Sequence, residues 1–167
     1  TLGLVGLGRI GSRVAVAAQA LGMDVVAHDP GLSSSSVDGV RLVNRDELFQ
    51  IAHVISLHAP SNPTTRHLID AAAIQTMQPG VYIINCARGP LIDHEALLAA
   101  LEAGQVAGAG LDVTEPEPLP VGHPLLSRPD VIVTPHVASS TAAGRRRLFE
   151  HAVDNALAVL AGRPASV

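Results

Sequence analysis

An α/β fold, with a doubly wound parallel sheet in three layers, is what this sequence predicts, and three observations carry the prediction. Strand-like runs of Val, Ile and Leu alternate with helical stretches from end to end, the pattern of repeated βαβ units. Hydrophobic residues make up 47% of the chain and aromatics only 2%, so the core must be aliphatic, as doubly buried parallel strands prefer. The first strand, ending Leu4-Val5, runs straight into Gly6-Leu7-Gly8-Arg9-Ile10-Gly11, a glycine turn that opens a helix. At 167 residues the chain reads as one domain over 1–167. A domain of that size buries about 70% of its unfolded surface and needs no covalent staples.

Each element has its own justification. Ile10, Val14, Ala17, Ala18 and Leu21 recur at helical spacing and are expected to face the sheet, with Gly22 ending the helix. Asp24 to Asp29 reads as the second strand, and residues 31–38, rich in Ser, as a surface loop. Val40 to Val43 predicts a short edge strand, and Asp46 to Ile51 a turn or two of helix. Val54 to Ala59 is a strand that stops at Pro60-Ser61-Asn62-Pro63, and a short helix follows near Asp70 to Thr76. Val81 to Cys86 is a strongly apolar strand. Asp93 caps a helix from His94 to Glu102, whose Leu97, Leu98 and Leu101 make one stripe and which Gly104 ends. Ala107 to Val113 and Val131 to His136 are the last strands, separated by a proline-rich segment, and a final helix runs from Thr141 to Leu160.

Composition excludes several function classes. Net charge is −4 and all 11 basic residues are Arg, with no phosphate-tracking stripe, so no nucleic-acid partner is expected. Arg145-Arg146-Arg147 points around a helix and reads as a solvated face. Cys86 is the only cysteine, which rules out an internal disulfide and makes the cytoplasm the default expectation. It is expected to pack as a small hydrophobe rather than to act as a nucleophile. No apolar run of about 18 residues appears, so no membrane span is expected. The histidines lack ligand spacing, and no metal site is expected.

The chemistry concentrates just past the strands. Gly6 permits a tight turn, Gly8 lets backbone approach a pyrophosphate, and Gly11 lets the helix pack close on the sheet. The free N–H groups of Arg9 and Ile10 and the helix dipole would face the phosphates. Asp29 lies at about the 20-residue interval expected for a carboxylate that binds an adenosine ribose, or else is a turn residue before Pro30-Gly31. Arg88, between an apolar strand and a glycine, either clamps a substrate carboxylate or is a surface arginine. His136 follows the last strand, and Glu117 leaves the one before. Together they could supply a charged imidazole as proton donor, and read singly His136 could equally be a satisfied structural residue.

Gly6-Leu-Gly-Arg-Ile-Gly11, His28-Asp29-Pro30, Asn85-Cys-Ala-Arg-Gly89, Gly110-Leu-Asp-Val-Thr-Glu-Pro-Glu-Pro118 and Thr134-Pro-His136 together resemble the D-isomer-specific 2-hydroxyacid dehydrogenases, a group that includes phosphoglycerate dehydrogenase and the glyoxylate/hydroxypyruvate reductases. The resemblance covers nearly the whole chain, in order. It implies NAD as cofactor, held by Gly6, Gly8, Arg9, Ile10, Gly11, Asp29, Pro30, Ala59, Pro60, Cys86 and Asp112, with Asp112 on the nicotinamide carboxamide. It implies Arg88 as the residue that orients a 2-oxo or 2-hydroxy acid, His136 as acid/base, Glu117 as its partner, and a homodimer. Asp29 without a following Arg favours NAD, since a 2′-phosphate would meet like charge. Glu117 argues against formate, because formate dehydrogenases carry Gln at the matching position.

Members of this family also have a substrate-binding lobe on both sides of the cofactor domain, and neither part is found in this chain. The expectation is an isolated cofactor domain that binds NAD more readily than it turns over substrate. The alternative from another class is a non-catalytic, NAD-responsive binding module of the corepressor type, whose members keep the same polar residues.

Overall fold

The computed structural model describes residues 1–166. The chain splits into two compact units, one from Thr1 to Pro135 and one from His136 onward. The first holds seven strands in one sheet, β1 Leu2–Val5, β2 Val25–His28, β3 Arg41–Leu42, β4 Val54–Leu57, β5 Val81–Asn85, β6 Val106–Leu111 and β7 Val131–Val133. Its helices are α1 Arg9–Ala20, α2 Arg45–Ile51, α3 Ala71–Gln75 and α4 His94–Glu102. The second unit holds α5, Ala142–Leu160, with Thr141 as its N-cap.

Strand order is β3-β2-β1-β4-β5-β6-β7 and every pairing is parallel. The chain therefore runs outward from β1 in one direction, returns, and continues from β4 in the other. The crevice between the carboxyl ends of β1 and β4 is the switch point where ligands of such sheets bind.

Two apolar clusters hold the sheet. The larger lies under α2, α3 and α4 and is built on Phe49, Leu48, Ile55, Ile83, Leu97 and Leu111, each 1% exposed or less. The smaller lies under α1 and joins Leu2, Leu4, Ala15, Ala18 and Val25. Truncating a buried Leu such as Leu97 to Ala would cost about 2–5 kcal/mol. Tyr82 on β5 and Ile132 on β7 stand 50% and 70% exposed.

The packed face of α1 differs from the expected stripe. Gly11, Ala15 and Ala18 are the buried positions, while Ile10 and Leu21 are 68% and 82% exposed. The reason is closeness: a Cβ on Gly11 would stand 2.2 Å from the carbonyl oxygen of Gly6, so the helix meets the sheet through its smallest residues.

Helix starts follow their capping chemistry. Asn44, Asp70 and Asp93 each accept a backbone N–H of the first turn, from Glu47, Ala73 and Ala96 in turn. Gly22, with φ +80°, follows α1 as expected. The last two strands end early. β6 stops at Leu111 rather than Val113, and β7 stops at Val133 rather than His136. Pro135 has no N–H to give a ladder, and His136 turns to φ +53°.

Candidate active site

The registers of the strands align their ends in one row. Val5 pairs with His28 and Leu57, Leu57 with Asn85, Asn85 with Leu111, and Leu111 with Val133. The next residue along each chain is therefore Gly6, Asp29, His58, Cys86, Asp112 or Thr134, all on the carboxyl edge. The row comes from parallel pairing alone.

A cleft of about 790 Å³ opens at this edge, within the range of small-molecule sites. Gly6, Gly8, Asp29, Pro30, Ala59 and Pro60 line it, so six of the expected cofactor residues converge. Gly6 takes φ +97°, and a Cβ there would stand 2.8 Å from the His58 carbonyl oxygen. Only glycine meets both conditions. Gly8, by contrast, has nothing within 4 Å of its Cβ position and begins α1 with no side-chain cap. The first-turn N–H groups of Arg9 and Ile10 are thus left for an external acceptor. Gly11 lies buried beneath the turn rather than in the cleft wall.

Asp29 is fixed by the turn it serves. Its Oδ2 accepts the Leu7 N–H at 2.9 Å and its Oδ1 accepts the Gly31 N–H at 3.0 Å. An ionised carboxylate has about four lone-pair sites, so each oxygen keeps capacity for a second donor. It closes its own turn, as one reading from sequence had it, and it also lines the cleft.

Several lining groups carried no cofactor assignment from sequence. Asn44, Arg45, Asn62 and Thr65 close the far side of the cleft. His58 also lines it, 3.0 Å from Ser56 Oγ through Nε2, and burial lowers its pKa below 6.5. For His58 the signal that could have found it was position, because it directly follows β4.

At the opposite end of the row, Asp112 is 4% exposed and accepts the Thr134 hydroxyl at 2.5 Å. Cys86 is exposed, which corrects the expectation that it packs as a small hydrophobe; the strand has ended and its side chain has left the sheet. Partial desolvation of the thiol first, and the Asp112 charge second, raise its pKa.

Arg88 is exposed, and its Nη1 donates to the Ala87 carbonyl at 2.6 Å. Glu117 is exposed in the loop after β6, where its Oε2 accepts the Thr114 N–H at 3.4 Å. The peptide bonds Glu115-Pro116 and Glu117-Pro118 are cis. The two loops touch directly, since a Cβ on Gly89 would stand 2.0 Å from the Thr114 carbonyl oxygen. His136 opens the second unit with an exposed side chain. Among the described residues no group of three or more His, Cys, Asp or Glu could hold a metal ion.

A parallel sheet with its crevice at the switch point, a glycine turn feeding a helix, and an acid on the next strand define a dinucleotide-binding domain. Residues 1–138 match the family described as D-isomer specific 2-hydroxyacid dehydrogenase, NAD binding domain, and the chain belongs to that family. It is 44% identical to D-3-phosphoglycerate dehydrogenase of Synechocystis over 99% of this chain and 30% of that protein. It is 39% identical to glyoxylate reductase of Thermofilum pendens over 97% of this chain and 49% of that protein. Among solved structures, the NAD complex of a D-isomer specific 2-hydroxyacid dehydrogenase from Lactobacillus delbrueckii superposes with a TM-score of 0.88 at 33% identity. That match covers 97% of this chain and 53% of the other. The chain thus spans about half the length, or less, of these relatives.

Proposed function

We propose that this chain is the cofactor half of an oxidoreductase that moves a hydride between NAD(H) and a D-2-hydroxy or 2-oxo acid. The observation that carries the reading is Asp29, pinned to the glycine turn by the Leu7 N–H while facing the cleft. The residues present fit a dinucleotide. Gly8 leaves open space where a pyrophosphate needs it, the first turn of α1 has no side-chain cap, and the Asp29 oxygens suit a ribose diol. Bound there, the nicotinamide supplies or takes the hydride.

The remaining work falls to side chains. Asp29 binds the adenosine ribose and repels a 2′-phosphate, which sets a preference for NAD over NADP. Pro30, Ala59 and Pro60 shape the walls. Asp112, held by Thr134, accepts from the carboxamide, with Cys86 beside it. Arg88 clamps the substrate carboxylate through paired hydrogen bonds. His136 gives or takes the proton at the substrate oxygen, with Glu117 favouring its charged form. A positive φ at His136, rare outside glycine, supports a functional constraint there.

We propose further that the domain is one part of a longer, two-lobed enzyme, that it pairs as a homodimer, and that it works in the cytoplasm. The relatives' names give the first substrates to try. NADH oxidation by the complete reading frame with glyoxylate, hydroxypyruvate and phosphohydroxypyruvate tests the reading, and tight NADH binding without turnover of any of them would sink it.

A further inference from the structure

We propose that Asn85 is a positioning residue whose buried amide fixes the Arg88 turn and the Glu117 loop as one piece. The proposal rests on the roles given to Arg88 and Glu117 above. Asn85 closes β5 and is 0% exposed, the most deeply buried polar side chain among the described residues. Its Nδ2 donates to the Arg88 carbonyl at 2.9 Å, and its Oδ1 accepts the Ala87 N–H at 3.0 Å. Donor and acceptor of one amide are both used to hold three residues of turn. Its own carbonyl accepts the Asp112 N–H at 2.9 Å, which ties the same residue to the end of β6.

The turn then bears on the second loop. At Gly89 the two backbones meet with no side chain between them, for a Cβ there would stand 2.0 Å from Thr114 O and 2.9 Å from Glu115 N. Thr114, 6% exposed, donates its hydroxyl to the Pro116 carbonyl at 2.8 Å and its N–H to the Glu117 carboxylate. A shift of the Arg88 turn therefore pushes on the residue that organises Glu117. Asp at position 85 lacks the donor, and Ser is too short to reach Arg88. Either loses the Nδ2 bond and leaves the Arg88 carbonyl with the Leu91 N–H at 3.2 Å as its partner, so the turn is held by one bond fewer.

The test uses the complete reading frame carrying Asn85→Ser or Asn85→Asp, read first by amide hydrogen exchange. The expected result is that exchange speeds up together in 86–92 and 113–119, by about tenfold or more, while 4–12 is unchanged. Faster exchange in 86–92 alone would overturn the proposal. Should both variants fail to fold, Gly89→Ala presses on the same contact from the other side, and 113–119 must respond. In turnover, KM for the 2-oxo acid should rise about tenfold in Asn85→Ser with NADH affinity within about twofold. The rise should vanish when Arg88 is already Ala, as a double-mutant cycle requires. An unchanged KM would overturn the proposal. Absence of turnover in the unsubstituted protein would overturn the functional reading, and the exchange result alone would then decide the fate of Asn85.

Discussion

Replacing Gly8 with Ala separates cofactor binding from folding more cleanly than any other change in the glycine turn. Gly8 sits at φ −74° and ψ −160°, which alanine adopts without strain, and nothing lies within 4 Å of its Cβ position. The folded protein should hardly notice, with a stability change within about 0.5 kcal/mol. A pyrophosphate seated on the first turn of α1 would meet the new methyl, however, and lose one charge-assisted hydrogen bond or more. That loss is worth about 1.5–3 kcal/mol, or roughly tenfold to a hundredfold in Kd. Gly11→Ala is the control of opposite sign. Its methyl would stand 2.2 Å from backbone at Gly6, so the helix must move. Overpacking of that kind costs about 1–3 kcal/mol, and each kcal/mol lowers Tm by about 2–4 °C in a domain of this size. Calorimetric titration with NADH and a thermal melt on both variants read the two effects. Unaltered NADH affinity in Gly8→Ala, with the protein folded, would refute the placement of the pyrophosphate.

Other outcomes follow from the same geometry. Asp29→Ala should weaken NADH binding, by roughly tenfold or more if one ribose hydrogen bond to a charged group is lost. His136→Ala should bind NADH normally yet abolish turnover in the complete reading frame, and equal loss of binding in both would refute the roles. Burial, first among its causes, lowers the His94 pKa from 6.5, so the folded protein resists a proton that the unfolded chain accepts. Stability should therefore be full above pH 6.5 and fall with acidification towards the folded pKa. His94→Gln should flatten that window in urea melts across pH, and an unchanged slope would count against it. The Arg66 hydrogen bond holds the Glu115 pKa below 4.5, so Arg66→Gln should raise it in a carboxyl NMR titration.

Strand and helix order was legible because aliphatic runs and capping residues are local signals. Asp93 announces α4 by itself, and the position of Asp29 directly after β2 was readable in the same way. The face that α1 packs was not legible. Side-chain hydrophobicity favoured Ile10 and Leu21, whereas the gap to the sheet takes the small residues Gly11, Ala15 and Ala18. That gap is a tertiary quantity. The far wall of the cleft was also hidden, since Asn62 reads as turn chemistry and does make its turn, accepting the Thr64 and Thr65 N–H groups. Asn85 was hidden for a similar reason. It looks like the polar end of an apolar strand, and only the fold around Ala87 and Arg88 shows both ends of its amide in use.

A crystal structure with NADH tests the central claim most directly. The account predicts the adenosine ribose hydroxyls on the Asp29 carboxylate, the pyrophosphate over Gly8 and the N–H groups of Arg9 and Ile10, and the nicotinamide towards Asp112. A dinucleotide bound elsewhere, or with its nicotinamide at Asp29, would contradict it.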